Sequence, residues 1–137
     1  MNREILFRGK RKDNGEWVEG DLLQNRNLGT YYIGGFENYS NEKGLRRESF
    51  VYEVDPETVG QYLDLLGKTF GENDIVEVNR ENHRYIGVVK FGKYDTYHYG
   101  LDIDWINGSE VLRKELLYWL PKIRVIGNIH DNPELLK

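Results

Sequence analysis

The sequence predicts a mostly β, α+β protein, and three observations support this. Short runs rich in β-branched and aromatic residues alternate apolar with polar side chains, which is the period of a half-buried strand. Turns rich in glycine and asparagine separate these runs, and only short segments have helical spacing. Short strands joined by tight turns are typical of a small antiparallel barrel or sandwich, and not of a parallel sheet.

Residues 4–23 have the pattern of a β-hairpin. Ile5 and Phe7 alternate with polar neighbours, and apolar residues return from Trp17 onward. Between them, Asp13-Asn14-Gly15 supplies residues that accept the left-handed backbone conformations of a tight turn.

Residues 25–49 are the polar part of the N-terminal half. Glycines and asparagines surround the aromatic run Tyr31-Tyr32-Ile33, which predicts one strand inside a long mobile loop. The β-branched and aromatic run 49–54 predicts a strand, and Asp55-Pro56 ends it. For residues 58–66 helix and strand both remain open, because helical spacing follows a candidate Asp55 cap but Gly60 weakens a helix.

From Asp74 onward the apolar period becomes two. Segments 75–78, 85–91 and 97–103 are predicted strands joined by turns at 79–82 and 92–95, and residues 122–129 form a further strand.

Two segments of the C-terminal half have helical signals. Residues 109–120 allow a short helix with Ser109 as its cap and Leu112, Leu116 and Leu120 on one stripe, although a strand remains open there. Asn132 and Pro133 predict a terminal helical turn.

The chain of 137 residues divides near Asp55-Pro56 into an N-terminal β-rich region, 1–55, and a C-terminal region, 56–137. No Ser/Pro-rich linker separates them, so we expect the two regions to pack as one unit. The alternating apolar positions predict this core: Ile5, Phe7, Trp17, Leu22, Val59, Ile75, Val76, Val88, Phe91, Leu101, Ile103, Val125 and Ile129.

Composition excludes several function classes. Cysteine is absent, which excludes disulfides, thiolate zinc sites and cysteine nucleophiles. The formal net charge of −4 is the wrong sign for a protein held mainly by phosphate contacts, although local positive charge could overcome it. No apolar run is long enough for a membrane span and no signal peptide is visible, so we expect a cytoplasmic protein without membrane contact.

Four short motifs stand in order along the chain, at residues 3–10, 55–62, 73–76 and 125–136. Together they resemble the YopX family of phage and prophage proteins. The resemblance implies a mostly β fold with an SH3-like small β-barrel in the C-terminal part, predicted here over Asp74–Ile129. It also implies an accessory protein in the cytoplasm of a bacterial host, with no established activity, catalytic residue or cofactor.

One cluster has the residue types of a metal-dependent hydrolase. His98, Asp102 and Asp104 alternate along a predicted strand and share a face, with Asp95 nearby, so an imidazole and carboxylates could hold a divalent metal. The alternative, which we favour, is a solvated polar face. His83 and His130 lack metal-ligand spacing, and no phosphate loop or nucleophile motif occurs. We therefore predict neither enzymatic activity nor a bound metal.

A second cluster has the chemistry of nucleic-acid binding. Four basic residues stand beside a tryptophan on the N-terminal hairpin, and Arg46-Arg47 forms a shorter patch. Cationic side chains bind the phosphates of a nucleic-acid backbone, and an aromatic ring provides a surface on which its bases stack. The alternative is a set of charges that protects an edge strand from aggregation. The residues concerned are Arg8, Lys10, Arg11, Lys12 and Trp17.

A third cluster is typical of protein recognition. Tyr31, Tyr32, Phe36 and Tyr39 stand among glycines and asparagines, a composition found at adaptable binding surfaces. The alternative is that part of these rings belongs to the core, and a homo-oligomer is a further use of such a surface. We thus expect a non-enzymatic binding module for a protein partner. Nucleic-acid binding is the alternative, and metal-dependent hydrolysis is the second alternative.

Overall fold

The computed structural model describes residues 6–65, 67–93, 99–108 and 112–137. The chain forms two compact units, one ending at Leu63 and one beginning at Asp64. The predicted mostly β class is confirmed, since the strands form two antiparallel sheets and only one short α-helix is described. No helix of the described residues has the length and apolar character needed to cross a bilayer.

The first unit is built on a sheet with the strand order β4-β3-β2-β1-β5. Its strands are β1 (Leu6–Lys10), β2 (Trp17–Asn25), β3 (Thr30–Asn41), β4 (Gly44–Val54) and β5 (Gly60–Leu65). The last two residues of β5, Asp64 and Leu65, belong to the second unit.

The predicted N-terminal hairpin is confirmed for its described residues. In β1 and β2, Phe7 lies opposite Gly20 and Lys10 lies opposite Trp17. Gly15 has a φ of 74°, which is the left-handed conformation that the turn requires.

The prediction of one strand inside a mobile loop over residues 25–49 is wrong. Strands β3 and β4 form one long hairpin in which Tyr31 lies opposite Val54 and Asn41 lies opposite Gly44. Gly34 and Gly35 are strand residues, and a Cβ on Gly34 would come within 2.8 Å of the carbonyl oxygen of Phe50. Glycine at position 34 therefore reflects close approach of a paired backbone, and not a loop. Gly29 and Gly44, in contrast, have positive φ at the two turns.

The C-terminal end of β4 lies beside the C-terminal end of β1. Arg11 and Val54 form an antiparallel bridge, and the amide of Asp55 donates to the carbonyl of Lys10 at 2.8 Å. Asp55 caps a 3-10 turn over Pro56–Thr58 by accepting from the amide of Glu57. The Thr58 hydroxyl accepts from the amide of Lys10 at 2.8 Å and donates to the carbonyl of Asp55 at 2.7 Å.

Residues 58–66, for which helix and strand were both open, begin with this turn and continue as β5. In the register with β1, Leu6 lies opposite Tyr62 and Arg8 lies opposite Gly60. The helical spacing of the apolar residues is thus overridden by backbone pairing to β1.

The second unit contains β6 (Lys68–Gly71), β7 (Asp74–Arg80), β8 (His83–Lys93), β9 (Tyr99–Trp105), α1 (Leu116–Trp119) and β10 (Arg124–Asn128). Four of these strands form a sheet with the order β10-β7-β8-β9, so the predicted strands of this region are confirmed for their described residues. The first two residues of the predicted strand 97–103 lie outside the described part of the chain. Glu81 and Asn82 both have positive φ and close the turn between β7 and β8. No closed barrel is found among the described residues.

The helix of the second unit is shorter than the segment 109–120 allows. It begins at Leu116. The amide of Ile103 donates to the carbonyl of Lys114, and Glu115 forms a β-bridge with Asp102. These two contacts hold residues 114 and 115 extended against β9. The predicted cap Ser109 lies outside the described residues. The terminal helical turn is confirmed as a 3-10 turn, Pro133–Leu136, although Asn132 accepts from the amide of Asn128 instead of capping it.

The core agrees with the prediction in part. Ile75, Val76, Val88 and Ile103 are buried, and Gly87 is essential to their packing because a Cβ there would overlap Ile103. The prediction is wrong for Phe91 and Val125, which are exposed. Ile5 and the side chain of Leu101 lie outside the described part of the chain. The other predicted members are only half-buried: Phe7, Trp17, Leu22, Val59 and Ile129.

Candidate interaction surfaces

The register of β1 to β4 places the side chains of the first unit on two faces of its sheet. Ile33 and Val54 are fully buried and mark the inner face. Side chains alternate along a strand, and directly opposed residues share a face. Lys10 and Trp17, and further along the sheet Phe36 and Val51, therefore lie on the other face, which we call the outer face.

The predicted basic and aromatic cluster is partly assembled on the outer face. The Arg8 guanidinium lies 4.9 Å and the Lys10 ammonium 5.5 Å from the ring centroid of Trp17. Arg8 also lies 5.5 Å from the ring of Tyr62. These distances are within the range of cation–π attraction, so the rings hold the two cations at the surface.

Arg11 points to the inner face, away from this cluster. It donates two hydrogen bonds to the Asp13 carboxylate, at 2.9 and 2.6 Å, and lies 3.7 Å from the ring centroid of Tyr52. The hydrogen bonds from Arg11 lower the pKa of Asp13. Lys12 forms an ion pair with Glu53 at 3.2 Å. The four predicted cations thus divide between two faces, and Arg11 and Lys12 are bound to the carboxylates of Asp13 and Glu53.

The predicted aromatic surface is divided in the same way. Tyr32 and Phe36 belong to the outer face, whereas Tyr31 alternates with them and belongs to the inner face. Tyr31 and Tyr32 are half-buried. The side chain of Tyr39 lies outside the described part of the chain.

The outer face carries an apolar surface that the sequence analysis did not identify as a set. Four large apolar residues share this face by register, and each is at least half exposed. The exposed fractions are 50% for Leu23, 71% for Phe36, 77% for Leu45 and 56% for Val51.

Part of this surface lies on a two-stranded extension of the sheet. Strand β2 pairs with β3 only as far as Gly34, so within the described residues 35–41 and 44–50 pair only with each other. We call this segment the arm. Phe36 and Leu45 lie on it, and β4 is an edge strand. Isolated two-stranded hairpins are marginally stable in water, so a partner on the arm would stabilise it.

A depression of about 390 Å³ lies beside Phe36. Its lining includes apolar Leu6 and Phe50 and the acidic residues Glu19, Asp21 and Glu37. By register, Glu19 and Asp21 belong to the outer face and Glu37 and Phe50 to the inner face, so the depression opens at the edge between the two faces. The site therefore combines an apolar floor with negative charge.

The structure separates the residues of the predicted metal cluster by environment. Asp102 is buried, at 1% exposure, whereas Asp104 is exposed. Lys90 lies directly opposite Asp102 in the register. His98 and Asp95 lie outside the described residues. Among the residues that the structure describes, no three His, Cys, Asp or Glu side chains converge as metal ligands would.

The second unit contains a charged cluster around Glu77, a buried residue of β7. Its carboxylate accepts from Arg84 at 2.5 Å and from Arg124 on the neighbouring strand. The hydrogen bond from Arg84, with further support from Arg124, lowers the pKa of Glu77 although burial opposes the charged form. One buried carboxylate thus positions two guanidinium groups that are 54% and 74% exposed.

The family model described as YopX protein matches residues 6–137, which is nearly the whole chain. No curated protein and no solved structure matches the chain.

Proposed function

The chain belongs to the YopX family, and on that premise we propose that it is a non-enzymatic phage or prophage accessory protein that binds a protein partner through its outer face. The partner's binding segment presents apolar side chains flanked by lysine or arginine. Its apolar groups cover the arm, and its cations face the acidic depression beside Phe36.

The apolar residues of the outer face carry this proposal. Val51 and Phe36 are neighbours in the register, and Leu45 lies further along the arm, beyond the pair Asn38 and Arg47. Exposed apolar residues that share one face are a feature of interaction sites. Fully burying a side chain such as Leu, Val or Phe contributes about 1.5–3 kcal/mol. Because all four are already partly buried, covering them contributes less than the roughly 6–12 kcal/mol of four fully exposed side chains, and this offsets part of the ordering and translational cost of association.

The charge around the depression supports a basic partner segment. Glu19, Asp21 and Glu37 line it together with apolar groups. Opposite charge at an interface raises the association rate and excludes partners of the wrong sign. An acidic segment with the same apolar side chains would therefore bind poorly.

We expect the double variant Phe36→Ser/Leu45→Ser to lose its partner. The tagged chain would be used to capture proteins from a bacterial host lysate, with and without nuclease, and the captured protein would then be purified and titrated by calorimetry. Losing the burial of two side chains of about 1.5–3 kcal/mol each should weaken binding at least 100-fold.

Leu28→Ser is the matched control, because Leu28 is 72% exposed but lies in the turn before β3. It should bind like the native chain. Equal binding by the double variant, or no specific protein in either lysate, would contradict the proposal. If the captured protein is a second copy of this chain, sedimentation velocity should show a dimer that the double variant abolishes.

The cation–π contacts of Arg8 and Lys10 with Trp17 favour a second candidate function, nucleic-acid binding at the N-terminal β1–β2 hairpin. Three cations alternate on the outer face here, because Lys12 follows Lys10 by two positions. Binding of single strands should then have a log–log salt slope of about −2, at −0.7 per phosphate. Lys10→Ser/Lys12→Ser should flatten this slope in an anisotropy titration, whereas Arg11→Ser should not. An unchanged slope in the double variant would exclude this surface.

A further inference from the structure

A surface of different chemistry lies in the second unit beside α1. Two adjoining depressions of about 450 and 330 Å³ share Pro121 and Lys122 in their walls. We call them together the basic groove. None of the described residues that line it carries a carboxylate. Its polar and aromatic lining includes four cations and one exposed ring: Lys68, Arg80, Lys122, Arg124 and Tyr118.

Two of these cations are held in place by the fold. The Lys68 ammonium donates to the carbonyl of Leu120 at 2.7 Å and is 3.5 Å from that of Ile123. Arg124 is oriented by the buried carboxylate of Glu77, yet its side chain is 74% exposed. Glu77 is shared between Arg124 and Arg84, and Arg84 does not line the groove. Cations that are already positioned lose less conformational freedom when an anion binds.

The exposed ring of the groove is also fixed. Tyr118 is 53% exposed, and its ring packs edge-on against buried Trp119 with centroids 4.9 Å apart and planes at 87°. The Arg113 guanidinium lies 4.8 Å from the centroid of Tyr118. An aromatic ring beside an arginine is the platform on which single-stranded bases stack.

We propose that the basic groove binds single-stranded nucleic acid, with backbone phosphates at its four cations and a base stacked at Tyr118. A duplex fits less well, because its bases are stacked on each other and cannot reach an exposed ring. An acidic peptide would use the cations but not the ring. This site is separate from the outer face and goes beyond the proposed protein binding.

The test is a fluorescence anisotropy titration of the full chain with labelled oligothymidylate of about 12 nucleotides, within the usual site sizes. Four phosphate contacts predict a log–log salt slope of about −3, and Arg80→Ser/Lys122→Ser should reduce it to about −1.4. Tyr118→Ala should weaken binding roughly tenfold, and Tyr118→Phe should keep it, because stacking needs only the ring.

Leu117→Ala is the control for helix integrity, since Leu117 is the exposed neighbour of Tyr118 in α1. It should leave binding unchanged, as should Phe36→Ser/Leu45→Ser, so failure of this proposal is distinguishable from failure of protein binding. Absence of binding at roughly 50 mM salt, an unchanged slope in Arg80→Ser/Lys122→Ser, or displacement by polyglutamate as readily as by oligothymidylate would overturn it. Loss of binding only in Lys10→Ser/Lys12→Ser would move the site to the hairpin and also overturn it.

Discussion

Replacing Trp119 with alanine is expected to lower the free energy of unfolding by about 3–5 kcal/mol, the usual range for a buried tryptophan. Trp119 is buried and packs edge-on against Trp105, with ring centroids 5.9 Å apart. The indole N–H groups of both tryptophans donate to the carbonyl of Arg113, at 2.8 and 2.9 Å. The substitution removes the ring contact and one of these hydrogen bonds together. Urea unfolding should show a lower midpoint with an unchanged m-value.

Two variants separate the contributions of Trp119. Trp119→Phe keeps an aromatic ring but loses the hydrogen bond, so it should cost about 1–2 kcal/mol. Leu117→Ala, at an exposed position of the same helix, should stay within about 0.5 kcal/mol of the native chain. A midpoint for Trp119→Ala that matches Leu117→Ala would show that the tryptophan pair does not anchor α1.

Replacing Glu77 with glutamine is expected to cost about 2–3 kcal/mol at pH 7, because it weakens two charge-assisted hydrogen bonds at a buried site. The pKa of Glu77 is lower in the folded chain than in the unfolded chain. The unfolded chain therefore takes up the proton first as the pH falls. The stabilisation from Glu77 is complete above the ordinary glutamate value of about 4.3 and is lost as the pH falls through the folded pKa.

Urea unfolding at pH 7 and at pH 3 tests this dependence. The difference between the native chain and Glu77→Gln should be largest at pH 7 and should narrow at pH 3. Glu134→Gln is the control, because it removes the same charge at an exposed position of the C-terminal turn. The same difference at both pH values would mean that the ionised carboxylate is not what stabilises the cluster.

Local sequence signals predicted the strands that depend on local chemistry. The turn Asp13-Asn14-Gly15 and the alternation on either side of it specify the β1–β2 hairpin, and the period of two after Asp74 specifies β7 and β8. The strand predictions fail where pairing between residues that are distant in the sequence determines the local structure. Gly34 suggested a loop, but it is glycine because the backbone of Phe50 lies against it.

The candidate surfaces could be predicted less well, because they depend on which face each residue occupies. Arg8 and Lys10 do meet Trp17, but the bridge of Arg11 with Val54 turns Arg11 to the inner face. The apolar surface of the outer face became visible only with the register of β3 and β4. Had residues 30–54 been recognised as a hairpin, the alternation of apolar residues would have identified it.

The basic groove had only a weak local signal, the alternation Lys122-Ile123-Arg124. Lys68 and Ile123, which the fold brings together, are 55 residues apart in sequence. Lys68 and Arg80 also stand far from that basic segment. Such a surface is created by tertiary structure and has to be identified there.

The hydrogen bond from the amide of Lys10 to Thr58 affects the order in which the parts of the first unit fold. Its partners are 48 residues apart, and closing a chain segment of that length costs about 3 kcal/mol of entropy. The β3–β4 hairpin needs only a short turn, so we expect it to form early, whereas the contacts of β1 with Val54, Thr58 and β5 form last. On a translating ribosome we therefore expect the arm, with Phe36 and Leu45 exposed, to form transiently before the strand contacts that anchor its base, since a hairpin without such contacts is only marginally stable. Nascent chains of this protein should be captured by chaperones until Gly60 and Tyr62 have emerged and paired with β1.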